Sequence, residues 1–168
     1  LGDGAWDILP SISWCEAVFF RLASGLTNDG WQLWIEGAGL TGNHALPSAA
    51  PYGDGIPNAL KYAFNMNGSG PDDRRLTPGT GISGLPVLWL DRQGPAPVAR
   101  FEFVRRKNRD LTYTPKQSIA LSSDSWAPMT GTTTVTAIDS EWERVIIENP
   151  ADALQGPVCF FVVEVALP

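Results

Sequence analysis

Asp54, Asn58 and Lys61 are the residues of this chain whose types and spacing come nearest to a chemical site. They fall in the stretch 51–65, Pro-Tyr-Gly-Asp-Gly-Ile-Pro-Asn-Ala-Leu-Lys-Tyr-Ala-Phe-Asn. Its glycines and aspartate are spaced like those of a helix-flanked calcium loop. With Asp54 and Gly55 at loop positions five and six, Asn58 takes position nine, while positions one, three and twelve hold Ala50, Tyr52 and Lys61. Calcium takes about six to eight oxygen ligands, and the loop normally supplies a bidentate carboxylate at its last position. A lysine in that place removes the carboxylate and adds a positive charge. The turn and the helix start are therefore expected to persist as scaffold, with Asp54 and Asn58 as remnants of a lost metal site. A working calcium module, rebuilt from backbone carbonyls, Asp54, Asn58 and Asp29, is the weaker alternative.

Other chemistry is sparse. Covalent hydrolysis needs a nucleophile with a base, and glycoside hydrolysis needs two carboxylates flanking a cleft. The single histidine, His44, lies in a polar turn between Asn43 and Ala45 and reads as a surface residue. There is no Gly-x-Ser-x-Gly elbow, phosphate loop or zinc-ligand spacing, and Asp72-Asp73 before Arg74-Arg75 reads as a solvated turn. The chain is not expected to be an enzyme. Seven tryptophans remain, and aromatic faces can stack on sugars or anchor interfaces. Trp31 and Trp34 fall on an apolar helix face and Trp89 in an apolar strand, so these belong to the core. Trp126, beside a serine-rich turn, and Trp142, opening a strand, are the candidate ligand-binding residues, with packing as the competing role.

Composition narrows the class. The chain has 168 residues, enough for a real core, and 43% of them are apolar against 18% charged. Its 17 glycines and 14 prolines imply many turns between short elements and disfavour a helical bundle. A net charge of −6 and a pI near 4.6 repel nucleic acid and anionic lipid. Arg100, Arg105, Arg106, Lys107 and Arg109 could form a local basic patch, though charged residues around an exposed turn are the plainer reading. No apolar run reaches the ~18 residues of a membrane span, so no membrane insertion is expected. The first 30 residues lack the pattern of a signal peptide, as in a mature chain or a piece of a longer one. Cys15 and Cys159 read as buried thiols rather than a bridge.

The elements that would position these residues fall into a fourfold division. Residues 1–28 form a β segment around 16–23, whose weak echo of 158–164 admits two readings, the tail of a preceding similar sandwich or chance. Residues 29–67 form a two-helix unit around the degenerate loop. Trp31, Trp34, Ile35 and Ala38 recur at helical spacing, Asp29 can cap that helix, and Pro57 suits the first turn of a second helix over 57–65. Residues 68–84 make a Gly/Pro-rich connector. After it the period becomes two, and strands are predicted at 85–90, 98–106, 111–118, 132–138, 143–148 and 158–167. In 98–106 Ala99, Phe101 and Phe103 alternate with Arg100, Glu102 and Arg106, which predicts one wet face. Lys107 to Asp110 reads as a hairpin turn, and the last strand, apolar on both faces except at Glu164, is placed centrally. The fold class is mainly β: an antiparallel β-sandwich preceded by a small two-helix, degenerate calcium-loop unit.

These residues also carry a resemblance. Tyr52 to Asn65, with Trp34, Gly39 to Gly42, Phe103 to Arg106, Leu111 to Thr114, Trp126 and Trp142 to Val145, is similar to the C-terminal regions of large secreted bacterial proteins common in Verrucomicrobia. Their full loops are of the thrombospondin-type-3 or dockerin-like kind. The resemblance implies secretion, an extracellular or cell-surface location and attachment to a larger protein. It carries no activity of its own. The expected function is a non-catalytic accessory module for adhesion, carbohydrate binding or surface attachment, with a polysaccharide or cell-surface component as partner. The alternative is a structural subunit of a filament, surface layer or complex, for which the apolar strand at 16–23 would be open to pairing with a neighbouring chain.

Overall fold

Period-two sequence after residue 85 gives seven of the eight strands of two four-stranded sheets. The computed structural model describes residues 20–22, 29–107, 111–119, 125–150 and 160–167. Its strands are β1 (Phe20–Leu22), β2 (Val87–Asp91), β3 (Val98–Arg106), β4 (Thr112–Ser118), β5 (Ala127–Pro128), β6 (Thr132–Ala137), β7 (Trp142–Pro150) and β8 (Phe160–Leu167). One sheet has the order β1-β8-β4-β5 and the other β2-β3-β7-β6. All pairings are antiparallel except β1 with β8. The protein is thus mainly β. The strand 16–23 is seen over Phe20–Leu22, where it runs parallel to β8 within this sandwich's own sheet. Cys15, Cys159 and Arg109 lie outside the described residues.

The sheets meet through side chains that alternate inward. Ala99, Phe101 and Phe103 of β3 and Val145 and Ile147 of β7 face Phe161, Val163 and Val165 of β8, all buried. Phe101 stacks on Phe161 at 5.9 Å and Phe103 on Tyr113 at 6.2 Å between ring centres. β8 lies between β1 and β4, as its two apolar faces require, and Glu164 is paired with Lys116 at 2.5 Å.

Two expectations are corrected. The hairpin expected at 107–110, of which 108–110 lie outside the described residues, does not join β3 to β4, because β3 pairs with β2 and β7 in one sheet while β4 pairs with β8 and β5 in the other. The second face of β3 is also not wet. Glu102 and Val104 are fully buried, because the connector and the helical unit cover that face.

The helical unit comprises α1 (Asp29–Gly37), a 3-10 turn (Gly42–Ala45) and α2 (Asn58–Ala63). Asp29 is the first helical residue, and Pro57 stands just before α2 with extended backbone. Trp31 and Ile35 are buried, with Trp34 and Ala38 packed beside them, while Leu33 on the opposite face is 67% exposed. Trp31 and Trp34 stack on each other at 5.4 Å, and both meet the ring of Tyr62 edge-on. Every residue of α2 is buried, so this short helix sits between α1 and the sandwich. Among the described residues no helix is long and apolar enough to cross a membrane.

Candidate functional site

The loop before α2 keeps the path of a cation loop and carries its own cation. Gly53 and Gly55 adopt φ values of 71° and 75°, a left-handed backbone that glycine enters without steric cost. This sharp turn aims the Asp54 carboxylate inward. There it meets Lys61, one turn into α2, with Nζ 2.5 Å from Oδ2; the lysine side chain is fully buried and the aspartate side chain 5% exposed. The ammonium also donates to the carbonyl of Gly70 at 2.7 Å and lies 4.9 Å from the centre of the Tyr52 ring. Loop positions three, five and twelve therefore converge on one point, as they would around a metal, but the charge at that point is the Lys61 ammonium.

Asp54 is held from its other side by backbone donors. The N–H of Asp72 donates to Oδ2 at 2.7 Å and that of Ile56 to Oδ1 at 3.0 Å. Burial pushes the carboxyl's pKa up, but the Lys61 ammonium and these two N–H groups outweigh it and leave the value below the ordinary one. Hydrogen bonds to the charged form of this kind hold Asp54 as a carboxylate.

Asn58 does not face this centre as a ligand. It is fully buried, and its amide Nδ2 donates to the carbonyls of His44 at 2.6 Å and Leu46 at 3.0 Å, which fastens the 3-10 turn to the start of α2. His44 itself is exposed. The residues present do not fit calcium: the one carboxylate and one carbonyl that converge here already hold an ammonium, and Asn58 spends its Nδ2 on His44 and Leu46 while its buried Oδ1 has no hydrogen-bond partner. Among the described residues no group of three or more His, Cys, Asp or Glu side chains could hold a metal ion.

Asp72, expected in a solvated turn, is buried and organises the connector. Its Oδ2 accepts the N–H of Asn67 at 2.8 Å and its Oδ1 the Nε of Arg74 at 2.8 Å. Burial raises its pKa, and the Arg74 guanidinium with the backbone N–H groups of Asn67 and Arg74 brings the net shift below the ordinary value.

Further along, the connector clamps the sandwich. The N–H of Gly79 donates to both carboxylate oxygens of Glu102, at 3.0 and 2.9 Å, and Trp89 Nε1 donates to Oε2 at 3.1 Å. Arg144 Nε lies 2.9 Å from Glu102 Oε1, and its Nη2 donates to the Gly81 carbonyl at 2.6 Å. This second buried ion pair was not anticipated. A glutamate between the aromatic residues of β3 signals either a wet face or a paired charge, and its partner lies on a different strand.

The two candidate tryptophans part company. Trp142 opens β7 as expected but is only 4% exposed. Arg106 lies over its ring at 4.4 Å and over the Tyr62 ring at 4.1 Å, while Arg106 Nε donates to the Tyr62 carbonyl at 3.2 Å. Trp142 is therefore part of a cation–π sandwich joining the helical unit to β7. Trp126 is half-buried. Trp89 carries Arg100 over its ring at 5.1 Å.

The basic cluster dissolves in the same way. Arg100 pairs with Asp91 and Glu148, Arg105 with Glu143 at 2.7 Å, and Lys107 donates to the Asp139 carbonyl. Tyr113 completes the join: its hydroxyl donates to the Ala63 carbonyl at 2.8 Å and accepts the N–H of Arg106 at 3.2 Å. Burial raises its pKa well above the ordinary value, against the lowering pull of Arg106.

The arrangement is a two-layer β fold with a helical unit joined to one face through Arg106 and Tyr113. No protein-family model, curated protein or solved structure matches the chain.

Proposed function

We propose that this chain is a non-catalytic accessory module of a larger secreted protein, serving attachment at the cell surface or outside the cell, with a fold that does not depend on calcium. One observation carries the reading: the Lys61 ammonium lies where Tyr52, Asp54 and the Gly70 carbonyl converge. A module that supplies this charge covalently keeps its shape whatever the surrounding metal concentration. Support for the secreted context comes from the resemblance of residues 52–65. The burial of Trp142 beneath Arg106 favours attachment through protein or envelope components over a tryptophan platform for sugars.

The test is a melting experiment on the purified chain in millimolar calcium and in chelator, paired with pull-down on insoluble polysaccharides and on cell envelopes. Coincident melting curves and retention on envelope material are expected. A ligand that binds only the native state must raise the melting temperature, so a calcium-dependent rise would overturn the calcium-free reading. Turnover of a substrate would overturn the non-catalytic one.

A further inference from the structure

Among the described residues the sandwich has four edge strands, and three of them are short or obstructed. β1 is three residues long, and β5 is two residues of which one is Pro128. β2 begins directly after Pro86, with the connector bridged to Leu85 at Arg75, and it ends on the Asp91–Arg100 ion pair. Proline, short length, charge and covering chain are the devices that keep sheet edges from pairing with other chains.

β6 has none of them. Its six residues, Thr-Thr-Thr-Val-Thr-Ala, contain no charge, proline or glycine, and every one is exposed. Four threonines and a valine favour a strand. Its partner β7 lies on one side only, and among the described residues no strand pairs with the other. Thr133 and Val135 lie opposite Ile147 and Val145, which are core residues, so these two side chains point to the core side of the sheet. Val135 is nevertheless 45% exposed.

We infer that β6 is a self-association edge, at which a second copy of this chain adds its own β6 antiparallel about a two-fold axis normal to the sheet. That axis keeps each side chain on its own face, so opposed residues must share parity. Centred on Val135, it sets the two valines against each other on the core side and Thr134 of each copy against Thr136 of the other on the outer side. Valine–valine and threonine–threonine neighbours are favourable cross-strand pairs. Electrostatics select the occupant. The chain carries −6 overall, yet the charges on the β7 residues beside β6 are in ion pairs, Glu143 with Arg105, Glu148 with Arg100 and Arg144 with Glu102, and Asp139, just past the end of β6, accepts the N–H groups of Glu141 and Trp142 and would lie opposite Gly131 of the second copy. A second uncharged β6 therefore meets no opposed charge, whereas a charged strand would be left unpaired there. One six-residue strand pair is small beside the ~1,200 Å² of a stable interface, so the association is concentration-dependent. This inference is independent of the calcium-free reading.

Sedimentation equilibrium from micromolar to near-millimolar protein tests it. The weight-average mass is expected to climb from 18.1 kDa toward twice that value. Val135→Lys places two like charges face to face and is expected to hold the chain at monomer mass, with Thr133→Lys as a second variant should the first lose its native circular dichroism. A monomer at every concentration overturns the inference, and so does a dimer that survives both folded variants. A monomer whose edge takes up a labelled Thr/Val peptide but not a second copy overturns it as well.

Discussion

Replacing Lys61 by methionine keeps the reach of the side chain and deletes its charge. The Asp54 carboxylate, 5% exposed, then loses its ammonium partner at 2.5 Å but keeps the N–H groups of Asp72 and Ile56. Removing one member of a buried ion pair costs about 3–5 kcal/mol. The two retained donors place the loss near the lower end. For a domain of this length each kcal/mol moves the melting temperature by about 2–4 °C, so Lys61→Met is expected to melt roughly 6–12 °C lower. Asp54→Asn leaves the ammonium without its counter-charge, with the Gly70 carbonyl and the Tyr52 ring still beside it, and is expected to cost a similar amount. The double variant removes both charges, so its loss should be clearly smaller than the sum of the single losses.

The same pair fixes a pH dependence. Asp54 titrates lower in the folded chain than in the unfolded one, so between the two values the unfolded state binds more protons and stability rises with pH. The contribution is complete above the ordinary carboxyl value of about 4 and is lost as pH falls through the folded value. Lys61→Met should flatten that acid limb. Thermal and urea denaturation of the four-member cycle, at neutral pH and at pH 3, measure all of this. A Lys61→Met loss below ~1 kcal/mol, or strictly additive single losses, would refute the argument that the ammonium occupies the cation position of the loop.

Three further outcomes follow from the joins around β3. Tyr113→Phe leaves the Ala63 carbonyl and the Arg106 N–H without their partner and should cost about 1–3 kcal/mol in urea denaturation. Because the folded Tyr113 hydroxyl titrates higher than the unfolded one, its share of stability is complete below about pH 10 and is lost as pH rises through the folded value; Tyr113→Phe should weaken that alkaline loss. Glu102→Gln leaves Arg144 inside without its counter-charge and should cost about 3–5 kcal/mol, read by the same denaturation. Trp142→Ala should lose about 3–5 kcal/mol, as a buried aromatic does, whereas an exposed sugar-binding tryptophan would lose ligand retention with its stability kept.

How much of this was legible in the sequence depended on how far away each residue's cover lies in the chain. The predicted strand 98–106 coincides with β3 and 132–138 agrees with β6 to one residue, because period-two alternation is local. The helix over 31–38 is seen at Asp29–Gly37 for the same reason. The turn residues 107–110 showed that the chain changes direction, but a turn does not name the sheet it enters, and β4 leaves for the other one. Arg100, Glu102 and Arg106 suggested solvent because the groups that bury or pair them come from far along the chain: Gly79 lies 23 residues before Glu102, and Tyr62 lies 44 before Arg106. Lys61 showed the loss of a ligand. That the lysine replaces the metal was readable only by noticing that Tyr52 and Lys61, both departures from the calcium pattern, occupy positions that converge.

The connector is where those distant covers originate, and this changes what its composition means. Gly and Pro over residues 68–84 suggest a spacer, yet Gly70 offers its carbonyl to Lys61 and Asp72 its N–H to Asp54, while Gly79 and Gly81 hold Glu102 and Arg144. Both buried ion pairs are thus completed by main-chain groups of the same segment. Backbone can approach a buried charge that closely only where side chains do not intervene: a Cβ on Gly81 would lie 2.6 Å from the Thr77 nitrogen, and one on Gly68 would lie 2.5 Å from the Trp34 ring. Gly68 and Gly81 therefore serve close packing, whereas Gly79, with open space around it, serves a turn at φ 72°. Because one continuous segment binds the charge in the helical unit and the charge on the sandwich, strain at either pair is carried to the other through the chain itself. The helical unit and the sheets are accordingly expected to unfold in one transition, and separate melting of the two would show that the connector is a linker after all.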